Sequence, residues 1–197
     1  MARNVEIKAR IKSVDSVLPK AAALADNGPV EIIQDDTFFA CQNGRLKLRV
    51  FSPSEGQLIF YRRADQIGPK ESFYLISPTT APDTLREALS LAYGQVGRVR
   101  KNRTLFLLGR TRIHLDRVEG LGDFLELEVV LSDGEQAETG EVIARDLMEK
   151  IGVLPDQLIE GAYIDLLRKK APNKALKPIV ALSGHSGLAL RYLLELK

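Results

Sequence analysis

The sequence predicts an α+β fold in which a sheet closes into a β-barrel around a charged bore, with helices packed outside. Three observations lead there. Segment after segment of the 197 residues alternates charged and apolar positions with the period of two that a strand imposes. The charged positions share one side in five separate segments. Other segments carry a single apolar helical face, suited to covering the uncharged side of such a sheet.

Residues 3–11 alternate strictly, with Asn4, Glu6, Lys8 and Arg10 on one side and Val5, Ile7, Ala9 and Ile11 on the other. Ser13 or Asp15 can cap a helix over 15–26, which Asn27-Gly28-Pro29 ends. Strands follow over 30–40, 45–52 and 57–63, then a loop over 64–72 with Gly68-Pro69, and a short strand over 72–77. Thr80 and Pro82 open an amphipathic helix that runs to Tyr93 and closes at Gly94. Gly109 and Gly120-Leu121-Gly122 separate strands over 96–108, 111–118 and 123–132. Glu138–Ile151 and Pro155–Lys170 read as helices, with Leu147/Ile151 and Leu158/Tyr163/Leu166/Leu167 as their apolar faces. Beyond Pro172 the sequence reads as a linker and a short terminal element, ALRYLLELK, either a capping helix or a partner-binding extension.

Composition narrows the classes. The length suits one domain with a core of its own. Cys41 is the sole cysteine, which excludes a disulfide framework and a paired-cysteine metal site. No apolar run reaches the ~20 residues that span a bilayer. The opening MARNVEIKAR lacks the apolar stretch of a signal peptide. A cytoplasmic protein without a membrane partner is expected. A net charge of +2 predicts no nucleic-acid partner, and the cations align on strand faces instead of forming an exposed stripe. Basic residues gather in 45–63 and 98–117 while acidic ones dominate 119–149, a segregation that a uniformly solvated surface would not need.

The charged faces carry the chemistry. Glu6, Lys8 and Arg10 share a face, as do Arg45, Lys47 and Arg49 in RLKLR, Lys101 and Arg103, Arg112, His114 and Asp116, and Glu126 and Glu128. In a sandwich such faces would meet water. Repeated over five strands, with helices available for the apolar exteriors, they read instead as the wall of one bore. Clustered cations repel strongly in a low dielectric, so a polyanion is the natural filling. Arginine grips phosphate through its planar fork, and lysine acts as a point charge. Carboxylates in the same bore would repel phosphate unless a divalent cation intervenes, and oxygen-only ligands suit Mg²⁺ or Mn²⁺. The two sets together point to a metal–triphosphate substrate.

NVEIKAR, RLKLR, LIFYRR, VRKNR, RIHLDRVEGLGDFLELE and GAYIDLL, in this order, resemble the CYTH superfamily of triphosphate tunnel enzymes. That superfamily joins class IV adenylyl cyclases with thiamine triphosphatases. The match runs through residues 2–168, and NVEIKAR and the GLGDF turn are closer to the cyclase branch. The resemblance implies an eight-stranded antiparallel barrel over residues 1–170, with 171–197 as a C-terminal extension. It also implies a triphosphate substrate, Mg²⁺ or Mn²⁺ as cofactor, and leaves a homodimer open. Glu6, Glu126 and Glu128 match metal ligands, although Asn4 stands where the family's Glu-x-Glu-x-Lys signature has its first glutamate. Lys8, Arg10, Arg45, Lys47, Arg49, Arg62, Lys101, Arg103 and Arg112 match or flank the phosphate-holding cations, and Lys8 and Asp116 match residues beside the reacting phosphate. Arg63 falls on the opposite strand face from Arg62 and reads as a surface charge.

Two reactions fit this tunnel. A class IV-like adenylyl cyclase would convert ATP to cyclic AMP and pyrophosphate, by attack of the ribose 3′-hydroxyl on the α-phosphorus. A triphosphatase would hydrolyse tripolyphosphate, a nucleoside triphosphate or thiamine triphosphate. A non-catalytic polyphosphate sensor fits less well, since Glu126, Glu128 and Asp116 are all present. Asp36 either orients a tunnel cation or caps a turn. Lys70 reads as a solvated loop charge ahead of a loop lysine reaching a nucleotide, Tyr163 as a packing residue ahead of one whose hydroxyl reaches the tunnel mouth, His114 as a hydrogen-bonded spacer ahead of a general base, and Cys41 as structural. SGHSGL resembles a nucleophile elbow, but Leu188 stands where the last glycine belongs and no hydrolase-like strand–turn–helix surrounds it.

Overall fold

The computed structural model describes residues 2–170, and the 171–197 extension lies outside the described residues. Eight strands form the barrel: β1 (Ala2–Arg10), β2 (Asn27–Phe39), β3 (Arg45–Ser52), β4 (Glu55–Arg63), β5 (Lys70–Thr79), β6 (Gln95–Leu108), β7 (Thr111–Val118) and β8 (Gly122–Val130). They close in the order β1-β5-β4-β3-β2-β6-β7-β8, and every neighbouring pair is antiparallel. Among the described residues four α-helices lie around them: α1 (Val14–Leu24), α2 (Pro82–Tyr93), α3 (Ala137–Ile151) and α4 (Tyr163–Lys170). Among the described residues, no helix is long and apolar enough to cross a membrane.

The main apolar core lies outside the barrel wall. Val5, Ile7 and Ala9 of β1, Ile113 and Leu115 of β7, and Leu125, Leu127 and Val129 of β8 are fully buried beneath Val14, Val17 and Ala21 of α1 and Ala144, Leu147 and Ile151 of α3. Each belongs to the apolar half of an alternating strand, so the charged half is turned inward. Gly140 lets α3 approach closely, because a Cβ there would stand 2.8 Å from Val5 Cγ2 and 2.9 Å from Leu131 Cδ2. A second cluster, with Phe38, Val99, Phe124, Tyr163 and Ile164, closes one end of the barrel under α4.

Of the two caps the sequence offers, Ser13 closes α1, its Oγ accepting the Ser16 N–H at 3.2 Å. Three segments differ from the sequence expectation. Asn27-Gly28-Pro29 begins β2 instead of only ending the helix, because Asn27 pairs with Leu107 of β6. The strand expected over 72–77 runs from Lys70 to Thr79, because it pairs with β1 at one end and β4 at the other. The helix expected over 155–170 is divided. A single 3₁₀ turn spans Pro155–Gln157, and the chain then runs extended until α4. Past the Glu6–Lys70 pair, β1 has a free edge, and Leu158 bridges Ala9 there while the Ile159 N–H donates to the Lys8 carbonyl at 3.0 Å. Gly161, at φ +79°, makes the turn into α4 that a side chain would strain.

Candidate active site

A cavity of about 420 Å³ runs inside the barrel. Seven cations line it: Lys8, Lys47, Arg49, Arg63, Lys101, Arg103 and Arg112, with four carboxylates, Glu6, Asp36, Glu126 and Glu128. Cross-strand register sets the groupings, since directly opposed residues share a face. Glu6 opposes Glu128, which opposes Arg112, and Lys8 opposes Glu126, which opposes His114. Asp36 opposes Arg49 on the other side of the barrel.

The cations rest on carboxylates. Arg49 donates from Nε and Nη2 to the two oxygens of Asp36 at 2.8 and 2.9 Å, and Lys47 Nζ donates to Oδ2 at 2.8 Å. Arg103 grips Asp116 at 2.6 and 2.7 Å and Glu126 Oε2 at 2.6 Å. Lys101 Nζ donates to Asp116 at 2.9 Å, Lys8 pairs with Glu126 Oε1 at 3.1 Å, and Arg112 donates to Glu128 Oε2 at 3.2 Å. Arg63 pairs with Glu6 and donates to the Gly161 carbonyl at 2.7 Å, tying the bore to the turn before α4. The seven lining cations outnumber the four lining carboxylates, so the bore keeps positive charge for an anion even while these pairs stay intact.

Several expected residues stand elsewhere. Arg62 is exposed over the Phe73 ring and lies outside the bore, whereas Arg63 faces inward with its side chain 2% exposed. Strand parity had them reversed because the inward face of β4 carries Gln57, Ile59 and Tyr61 ahead of Arg63, and is mostly uncharged. Arg10 shares the parity of Glu6 and Lys8 but lies beyond the end of the bore, over the Phe124 ring and donating to the Leu121 carbonyl at 2.8 Å. Arg45 sits at the rim, bound to Asp65 at 2.7 and 3.0 Å and to Asp165 at 2.8 Å. Asp116, fully buried, is on the inward face of β7 opposite Arg103 but is absent from the lining, because Lys101, Arg103 and Tyr163 all donate to it; its geometry is that of a positioning residue.

Two residues outside the expected site set, Tyr163 and Asp36, line the bore, and a third, Lys70, is buried outside its lining. Tyr163 donates its hydroxyl to Asp116 at 2.9 Å, and its ring lies 4.3 Å from Lys8 Nζ and 5.1 Å from Lys101 Nζ. Asp36 orients two bore cations instead of capping a turn. Lys70, 1% exposed, is no solvated loop charge; its Nζ donates to the Gln66 carbonyl at 3.1 Å. The lining also holds apolar groups that the charge pattern did not reveal. Along β2, β4, β5 and β6, moving away from the α4 end, the wall becomes Ile32, Ile59, Ile76 and Leu105.

Burial and neighbouring charge set the protonation states. Burial, the largest single influence, pushes the carboxyls of Asp36, Asp116 and Glu126 up, but the surrounding cations and hydrogen bonds, led by Arg49, Arg103 and Lys8 respectively, together outweigh it and hold them well below the usual range. Burial and then the Arg103 charge push Lys101 down to about 7, and burial and then Arg49 push Lys47 down to about 8. Lys101 in the free protein therefore loses its proton as pH rises past about 7, and a bound polyanion raises its pKa again. Binding should take up protons at pH 8, and affinity should fall from pH 7 to 9. Calorimetry with a non-hydrolysable ATP analogue, in two buffers of different ionisation enthalpy, measures this. Zero proton uptake with a flat affinity would mean that both lysines are already charged in the free bore.

A sequence model of the CYTH domain matches residues 2–163. The adenylate cyclase CyaB of Aeromonas hydrophila is 27% identical over 168 residues, covering 81% of this chain and 85% of the relative. The PH1012 protein of Pyrococcus horikoshii OT3 has a similar structure, with a TM-score of 0.74 and 24% identity over 83% of this chain and 98% of that one. A putative adenylyl cyclase from Hippeastrum, described as having a dominant triphosphatase activity, reaches a TM-score of 0.60 at 14% identity, covering 90% of this chain and 98% of its own. Both structural likenesses show a shared fold.

Proposed function

Since this chain belongs to the CYTH domain family, whose enzymes act on triphosphates, we propose that it is a class IV-like adenylyl cyclase forming cyclic AMP and pyrophosphate from ATP. One observation supports an organic triphosphate over bare tripolyphosphate as the substrate. The same cavity joins seven cations to an uncharged wall of Ile32, Ile59, Ile76 and Leu105, which suits an organic group attached to a triphosphate. Bare tripolyphosphate has no use for such a wall. The likeness to CyaB supports the cyclase branch.

In this reading Arg49, Arg103, Lys8 and Lys101 hold the phosphates, and their positions are set in advance by Asp36, Asp116 and Glu126. The ribose 3′-oxygen attacks the α-phosphorus, the bond from the α-phosphorus to the bridging oxygen breaks, pyrophosphate departs with that oxygen, and the hydroxyl proton passes to water. The cations stabilise charge developing on pyrophosphate, at no cost in reorganisation because they are already oriented. Tyr163 and the residues beneath α4 close one end and limit water there. Glu126 and Glu128 fit a divalent cation: their carboxylates converge on the buried, unpartnered Nδ1 of His114. When bound, that ion would neutralise phosphate charge and polarise phosphate oxygens. Glu6 is occupied by Arg63 and stands apart from this converging group.

Hydrolysis is the alternative, and the Hippeastrum protein of the same fold is described with that activity. Incubation with ATP, tripolyphosphate and thiamine triphosphate, under Mg²⁺ or Mn²⁺, separates the two. Cyclic AMP and pyrophosphate in equal amounts from ATP are expected. Orthophosphate as the main product would replace the cyclase reading with a triphosphatase, and no turnover of any of the three would remove both.

A further inference from the structure

One imidazole nitrogen is left without a partner inside the bore. His114 is 4% exposed and faces the cavity from β7, and its Nδ1 has no hydrogen-bond partner among the described residues. Two carboxylates face it from β8, at distances too long for hydrogen bonds: Glu128 Oε1 at 3.7 Å and Glu126 Oε2 at 3.9 Å. The three donor atoms lie within 4.8 Å of one another. A buried polar atom without a partner is unfavourable, and two carboxylates beside it make a cation the complement.

Arg103 and Arg112 occupy Glu126 Oε2 and Glu128 Oε2, leaving Glu128 Oε1 turned toward Nδ1 without a hydrogen bond from a described residue. Asn4, on the same bore wall, contributes a neutral amide where a carboxylate would have added an oxygen anion, and its Oδ1 is also buried and unpartnered. The local donor set is thus poorer in anionic oxygen and richer in nitrogen than a carboxylate-only site. Mg²⁺ prefers oxygen in a strict octahedron, whereas Mn²⁺ and Co²⁺ accept imidazole readily.

We propose that His114 Nδ1 coordinates a divalent cation directly, together with Glu126 and Glu128, and biases this site toward Mn²⁺ or Co²⁺ over Mg²⁺. The inference deepens the functional reading above by assigning its metal selectivity, and it can be tested without any triphosphate.

Metal-free full-length protein is loaded with Mn²⁺ alone and examined by pulsed electron paramagnetic resonance. A ¹⁴N coupling of the size given by a coordinated imidazole is expected. It should vanish in both His114→Asn and His114→Gln and persist in His185→Asn, which removes the other histidine of the sequence. Calorimetric titration with Mn²⁺ and Mg²⁺ should show the preference for Mn²⁺ falling by ~10-fold in His114→Asn. Bound Mn²⁺ without nitrogen coupling, coupling lost only in His185→Asn, an unchanged Mn²⁺/Mg²⁺ preference, or no Mn²⁺ binding would each overturn the assignment. The wild-type spectrum decides even where a variant fails to fold. Nitrogen coupling without turnover of any triphosphate would remove the cyclase reading and leave this site standing. Turnover with Mn²⁺ held only by oxygen would do the reverse.

Discussion

Asp116→Asn should destabilise the protein by about 3–5 kcal/mol, the range found when one partner of a buried ion pair is removed. Asp116 is fully buried and accepts from Lys101 at 2.9 Å, from Arg103 at 2.6 and 2.7 Å, and from Tyr163 at 2.9 Å. The asparagine amide keeps the size but removes the charge and turns one acceptor into a donor. That donor would face Arg103 and charged Lys101, which can only donate, with the Tyr163 hydroxyl the one partner able to accept it. Arg103 retains Glu126, whereas Lys101 has no other ion pair among the described residues. Urea unfolding measures the loss, with Asp83→Asn as the contrast. Asp83 is exposed and, among the described residues, pairs only with Arg86, so its loss should stay within ~1 kcal/mol. A loss at Asp116 no larger than at Asp83 would mean that the two bore cations do not depend on it. Added tripolyphosphate should restore stability more strongly in Asp116→Asn than in the wild type, because it supplies the missing anionic partner.

Much of this architecture was legible because strand parity is a local property. Val5, Ile7 and Ala9 could be assigned to the outer core and Glu6 and Lys8 to the bore without knowing a single cross-strand partner. The failures occurred where parity was insufficient. Arg10 has the parity of Lys8 but comes after the bore has ended, and the length of a barrel is set by closure, which no single segment reveals. The inward face of β4 is mostly uncharged, so assigning the charge-rich parity to the inside favoured Arg62 over Arg63. The pairing of Arg63 with Ser72, itself opposite Asn4, is what places it inside. Residues 158–162 had helical periodicity, but a free edge of β1 competed for their backbone and prevailed. Tyr163 had the spacing of a packing residue and does pack on Phe124, with ring centroids 4.9 Å apart. Only the three-dimensional fold shows its hydroxyl reaching Asp116.

The second large effect concerns the two bore arginines. Arg49 and Arg103 each use Nε and Nη2 to grip a carboxylate, and neither makes a hydrogen bond from Nη1 to a described residue. A guanidinium can therefore stay anchored by one edge while its remaining donors meet a phosphate. A lysine ammonium has to choose, because a point charge at one position cannot reproduce a fork. Arg49→Lys and Arg103→Lys should each lower kcat/KM for the active triphosphate by at least ~10-fold, equivalent to ~1.4 kcal/mol of transition-state stabilisation. If the residue only holds the ground state, the loss falls in KM. If it meets charge growing on the departing phosphate group, kcat falls as well. Arg62→Lys is the control, since Arg62 is exposed outside the bore over Phe73, and should change kcat/KM by less than ~2-fold. Arg63→Lys is not neutral in this scheme, because Arg63 couples Glu6 to the Gly161 carbonyl ahead of α4. Steady-state kinetics on the four variants, each checked for thermal stability, gives the comparison. Losses at Arg49 and Arg103 no greater than at Arg62 would show that the inward cations do not bind the substrate, and the bore would lose its claim to be the active site.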